Sequence, residues 1–137
     1  IQWWEDLLSF FPKSYDALKQ GGQLIISTFL PENLGELSAV TGVGLDYPDS
    51  EEIRGSLQST GFRDIRLQQY QRVLYFPTLI ELLRHVRNTG TNSLGSKGLW
   101  TPRRLETMEQ AYRENLNLSQ SAPLPLTYVG VLGYGRR

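Results

Sequence analysis

Gly21-Gly22-Gln23-Leu24-Ile25-Ile26-Ser27-Thr28-Phe29-Leu30 is the stretch whose reading decides the fold. A short, near-continuous apolar run opened by two glycines suits a strand buried on both faces, as in a parallel sheet covered by helices. Upstream, Trp4, Leu7, Leu8 and Phe11 fall at i, i+3, i+4 and i+7, one face of a helix that Tyr15 and Leu18 extend. Gly21-Gly22 stop that helix in the way glycine commonly does. Pro12 requires it either to start close before that residue or to bend there. A helix that ends in Gly-Gly and feeds such a strand is one unit of an α/β fold.

Downstream, Pro31-Glu32-Asn33-Leu34 turns the chain away, and a glycine-containing connector runs through Gly44. Asp49 with Glu52 three residues on predicts a capping box, opening a helix with Ile53 and Leu57 on one face. Gly61-Phe62 ends it. Asp64 to Phe76 alternates as a long strand, with Ile65, Leu67, Val73 and Tyr75 inward. Thr78 with Glu81 predicts a second capping box, before the helical stripe Leu79, Leu82, Leu83 and Val86. Gly90 to Trp100 reads as an exposed loop. Thr101-Pro102 opens another helix, with proline at its first position and Leu105, Met108, Ala111 and Tyr112 on its apolar face. Leu126 to Tyr134 forms a final strand, ended by Gly135-Arg136-Arg137. Two helices thus stand between the last two strands, where a short hairpin would suffice. An excursion of that length is expected to be functional, as a cap over the substrate end of the sheet. The domain reading is one partial domain, with 1–77 as helix-strand-helix-strand core, 78–122 as helical cap and 123–137 as last strand.

Composition narrows the function. At 137 residues the chain can bury one core of its own. Fourteen basic residues against fourteen acidic ones leave no overall field for nucleic acid or an anionic membrane. The absence of cysteine removes disulfides, thiolate zinc sites, iron–sulfur clusters and thiol nucleophiles together. No run approaches a membrane-spanning length, and the first residues do not read as a signal peptide. The chain opens on Ile1-Gln2-Trp3-Trp4, without an initiator methionine and already apolar, so it is expected to be a piece of a longer polypeptide.

Several local runs, in order and spacing, carry a family resemblance. Ile1-Gln2-Trp3 looks like the end of the fourth strand of a class I S-adenosylmethionine methyltransferase. The spacing to Gly21-Gly22, to the Leu24–Phe29 strand and to Pro31-Glu32-Asn33-Leu34 follows the same pattern. Arg84-His85-Val86-Arg87-Asn88-Thr89-Gly90-Thr91-Asn92 is similar to a family run ending in isoleucine-glycine-alanine. Thr101, Tyr112 and Leu124-Pro125-Leu126-Thr127-Tyr128 complete the match. Nearly the whole sequence resembles the C-terminal half of the malonyl-acyl-carrier-protein O-methyltransferase family. Pro12, Thr89 and Thr91 depart from the pattern and bear on the fine shape of the cap rather than on the fold.

The resemblance implies an α/β fold, the C-terminal half of a Rossmann-like class I methyltransferase sheet. One parallel-type strand is joined by an antiparallel pair, with a two-helix cap inserted between the last two strands. It implies a cytoplasmic, S-adenosylmethionine-dependent transfer of a methyl group to the free malonyl carboxylate of malonyl-acyl-carrier protein, an early step toward biotin. Such chemistry needs no general base, since a sulfonium is already electrophilic and a carboxylate already nucleophilic. Alignment and exclusion of water suffice, so no catalytic side chain and no metal are expected. Gln2 and Trp3 are implied at the methionine part of the cofactor; Trp3, Phe29, Asn33, Arg84, Arg87 and Asn92 are implied on the substrate side. Trp3 and Trp4 also read as core, and Asn33 as a turn residue capping its own backbone. Arg84 and Arg87, three apart on a polar helix face, suit carboxylate or phosphate, although solvated helix faces often carry such charges. Lys97, Arg103 and Arg104 continue the basic stretch.

His85 reads as a surface or half-buried residue, and Glu32 with Glu36 as the face of a short helix rather than a catalytic pair. Gly42-Val43-Gly44 is not a phosphate loop, because it joins no strand directly to a helix. The glycine-rich turn and the acidic ribose-holding residue of the family belong to its first two strands and have no counterpart in this sequence. Alone, the chain is therefore expected to be inactive, with a free sheet edge that takes the missing N-terminal half or a homodimer partner. Two other readings stay open: a non-catalytic acyl-carrier-protein docking module, and a methyltransferase with a small-molecule acceptor.

Overall fold

The apolar run between Gly22 and Leu30 is strand β1, Gln23–Phe29. The computed structural model describes residues 7–42, 44, 46–89 and 101–137. With β2 at Arg63–Phe76 and β3 at Leu124–Arg136, it forms a sheet of order β1-β3-β2. β1 and β3 are antiparallel, in register from Gln23 opposite Arg136 to Phe29 opposite Gly130. The last strand is thus inserted between the two that precede it, and the α/β class expected from the sequence is the one found. The helices are α1 (Leu7–Ala17), α2 (Gly35–Thr41), α3 (Ser50–Thr60), α4 (Leu79–Asn88) and α5 (Pro102–Asn115).

By contacts the chain divides into two units. The first comprises Ile1–Asn33, Asp46–Gln71 and Val129–Arg137. Its core joins Leu7 and Phe11 of α1 to Ile53 and Leu57 of α3, with Ile26, Leu30, Phe62 and Val131. Phe11 and Ile53 are fully enclosed, and each such side chain contributes about 1.5–3 kcal/mol. Both ends of α3 follow the sequence. The Asp49 carboxylate accepts from the Glu51 and Glu52 amides at 2.8 Å, while Glu52 returns a bond to the Asp49 amide. At the other end Gly61 takes φ 107°, a value L side chains rarely adopt. The chain terminus is tied down as well: the Arg137 amide donates to Gly22 and its carbonyl accepts from Gly21, while its guanidinium lies over the Tyr15 ring. Pro12 lies within α1 at an exposed position.

β1 buries Ile26 and Thr28, whereas Ile25 on its other face is 73% exposed. Burial on both faces, as the apolar run suggested, is therefore not met among the described residues. Beside Ile25 and Ser27 stand their register partners Tyr134 and Leu132, and Leu132 too is exposed.

The second unit comprises Leu34–Leu45 and Arg72–Tyr128. Leu34, Leu37, Leu79, Leu82, Val86, Tyr112, Leu124 and Leu126 form its core. Helix α2 occupies what the sequence suggested was connector. It opens on Leu34 at φ 57°, without a side-chain cap, so the usual polar start signal is missing. The Leu34 amide donates to the Thr127 carbonyl and its side chain is buried, which offsets the cost of that backbone state. At Thr78 only the forward half of the expected box forms, its hydroxyl accepting from the Glu81 amide. The first amide of α4, at Leu79, is capped instead by Glu109 of α5 at 3.0 Å. The inward set expected on β2 is corrected at one position: Tyr75 is 65% exposed, and Phe76 joins the core. Strand β3 begins at Leu124 and ends at Arg136, longer at both ends than the sequence suggested.

Glu109 also holds Arg113 at 2.7 Å, and the buried guanidinium donates further to the carbonyls of Ser119 and Ala122. Burial raises the Glu109 pKa, but the Leu79 amide and the Arg113 charge outweigh that and hold it below the ordinary value of 4.5. A group with a lowered folded-state pKa stabilises above its unfolded pKa, and the benefit fades as pH falls through the folded value. Glu109→Ala strands a buried cation and is expected to cost about 3 kcal/mol, measured by urea unfolding at neutral pH. The difference between wild type and Glu109→Gln should shrink below pH 4.5.

Candidate functional site

The carboxyl end of β1 is where α/β sheets hold ligands, and the structure builds that end from backbone outward. The Leu30 amide donates to the Val129 carbonyl, and the Asn33 amide to the Leu30 carbonyl. The Asn33 side-chain oxygen, buried, accepts from the Val129 amide at 3.1 Å. Asn33 thus fastens the Pro31–Leu34 turn to β3, and not to its own turn backbone as the capping reading had it.

Phe29 closes β1, and its ring meets Tyr47 edge-on, at 5.8 Å between centroids and 69° between planes. The Tyr47 hydroxyl is buried without a hydrogen-bond partner among the described residues. Burial raises the pKa of this phenol, so it remains a neutral donor at physiological pH. The sequence reading missed Tyr47. Its only signal was an aromatic residue in a polar connector, two positions ahead of the Asp49 cap.

Gln2, Trp3 and Asn92 lie outside the described residues, as does Lys97. Arg84 and Arg87 are both exposed on α4, three apart, in the second unit. His85 between them is half-buried, with Phe76 at 5.1 Å and Tyr128 at 6.0 Å between centroids, the packing of a structural residue. Arg103 and Arg104 stand exposed in the first turn of α5. Glu36 is held on Thr127, accepting from its amide at 3.1 Å and from its hydroxyl, while Glu32 is exposed. No group of three or more acidic, histidine or cysteine side chains that could hold a metal occurs among the described residues. No helix there is long and apolar enough to cross a membrane.

No family model matches the sequence. Individual relatives do. A malonyl-[acyl-carrier protein] O-methyltransferase of Porphyromonas gingivalis is 33% identical over 129 residues, 93% of this chain and 50% of that protein. One of Prosthecochloris aestuarii is 38% identical over 117 residues, 82% of this chain and 41% of that protein. This chain is a homologue of these O-methyltransferases. It spans about half the length of the curated relatives it matches. A solved structure from Bacillus halodurans C-125, described as a methyltransferase, superposes with a TM-score of 0.55 over 94% of this chain and 57% of that one. At 14% identity that likeness speaks for the fold alone.

At the end of β1 the Phe29 ring and the buried Tyr47 hydroxyl stand together. Asn33→Ala is expected to leave the Val129 amide without its acceptor and to cost about 1–3 kcal/mol. Amide hydrogen exchange at Val129, at least ten-fold faster in the variant, is the direct check.

Proposed function

We propose that the chain is the acceptor-facing part of an S-adenosylmethionine-dependent O-methyltransferase that esterifies the free carboxylate of malonyl-acyl-carrier protein. The observation that carries this reading is identity of 33% along 93% of the chain with an enzyme of that name. The chemistry agrees with the residues present. When bound, the cofactor supplies a methyl group already activated by its sulfonium. The carboxylate oxygen forms the new bond to carbon as the carbon–sulfur bond breaks, and no proton moves. The chain's share is to orient the acceptor and keep water out, work for apolar walls such as Phe29 rather than for an acid–base pair.

Arg84 and Arg87 serve the carrier in this reading, with Arg103 and Arg104 as further cations. Their exposure suits charges that steer an acidic protein. Among the described residues Ile25 and Leu132 are exposed and β1 is an outer strand, and in this reading they take up the remainder of the sheet from a segment like the other half of the longer relatives. Without that segment the chain does not turn over.

The test is methyl transfer from S-adenosylmethionine to malonyl-acyl-carrier protein by the full-length protein. Arg84→Glu with Arg87→Glu is expected to raise KM for the carrier-borne substrate about ten-fold and to leave KM for malonyl-pantetheine unchanged. Equal turnover of both substrates by the wild type would refute the carrier assignment. No transfer to either would refute the acceptor.

A further inference from the structure

A buried hydroxyl without a partner is uncommon in native proteins, and each instance calls for a physical account. Tyr47 presents one such hydroxyl, at the end of β1 where a ligand of this fold would sit. Nearby polar side chains have partners: Asn33 holds Val129, and Asp49 and Glu52 cap α3. The ring of Tyr47 is set by its edge-on contact with Phe29, and Pro48 with the Asp49 cap follows directly in sequence. The Phe29 contact thus holds the ring, while the hydroxyl has no hydrogen-bond partner among the described residues.

We propose that the Tyr47 hydroxyl is a substrate-binding group, donating its hydrogen bond to the non-attacking oxygen of the acceptor carboxylate. This deepens the preceding reading and rests on it. The argument is one of chemical fit. A carboxylate that is to attack a methyl carbon must be held without being neutralised. An arginine fork occupies both oxygens and withdraws charge from each. A single neutral phenol binds one oxygen and leaves the lone pairs of the other free. The phenol keeps its proton throughout, since burial disfavours the phenolate. Tyr47 as a whole is only partly covered.

Tyr47→Phe in the full-length protein tests the assignment, because it keeps the ring against Phe29 and removes the donor alone. Calorimetric titration with malonyl-pantetheine should show affinity at least ten-fold weaker than wild type, as expected for a lost bond to a charged group. Affinity for S-adenosylmethionine and for the malonyl methyl ester of pantetheine, which carries no carboxylate, should stay within two-fold. Thermal stability should hold or rise by about 2–4 °C, because an unsatisfied buried group has been deleted. Malonyl-pantetheine affinity within two-fold of wild type would overturn the proposal. So would an equal loss for the ester, which would mark a packing role. A wild type that binds malonyl-pantetheine but transfers no methyl group refutes the methyl-transfer reading, and the Tyr47→Phe binding ratio still decides the contact. A wild type that does not bind it refutes both.

Discussion

Strand β3 is the constraint on which the rest depends. It must lie between β1 and β2 with partners on both sides, so its backbone is saturated and its neighbours crowd it. Three of its residues are glycine where the crowding is greatest. A Cβ on Gly133 would stand 2.7 Å from Cγ1 of Ile26 and 3.2 Å from Cδ2 of Leu67. One on Gly130 would overlap the Tyr70 phenol and come within 2.9 Å of the Thr28 carbonyl, and one on Gly135 would press on the Phe62 ring at 3.1 Å. In each case it is space rather than backbone conformation that demands glycine, since a neighbouring side chain already fills the position a β-carbon would take. Along β3, Leu124, Leu126 and Tyr128 belong to the second core and Val129 and Val131 to the first.

In the second unit Tyr112 and Arg113 show buried polar groups satisfied in the service of structure. The Tyr112 ring is fully enclosed, yet its hydroxyl donates to the Pro125 carbonyl at 2.6 Å, and burial pushes its pKa well up. Arg113, nearly inaccessible, spends its donors on one carboxylate and two carbonyls. These bonds tie α5 to the segment leading into β3.

How much of this was legible in the sequence depended on whether a signal was local. Helix α3 was readable at both ends because Asp49, Glu52 and Gly61 act on their own neighbours. Helix α5 was readable from Thr101 and Pro102 for the same reason. Of helix α2 only a short helical face at Glu36 was readable and not its start, since its N-cap is a leucine in the left-handed region, held there by Thr127, far along the chain. On β2 alternation gave the inward phase at Ile65 and Leu67 but not at Tyr75 and Phe76, because both are aromatic and only the contacts choose between them. Asn33 could be read only as a turn residue or a ligand contact, because its partner Val129 lies far along the chain. Of the candidate site, Phe29 was visible as the end of an apolar run. Tyr47 was invisible, because nothing in a sequence distinguishes a phenol with a partner from one without.

Charge placement separates what folding explains from what it does not. Glu51 and Glu52 stand in the first turn of α3, and Arg87 and His85 in the last turn of α4, each where the helix dipole favours its sign. The charge of Arg87 is thus accounted for in part by the stability of its own helix. Arg103 and Arg104 are the opposite case. They occupy the first turn of α5, which holds no acidic residue, at the end where the dipole disfavours a cation by roughly 0.3–1 kcal/mol each.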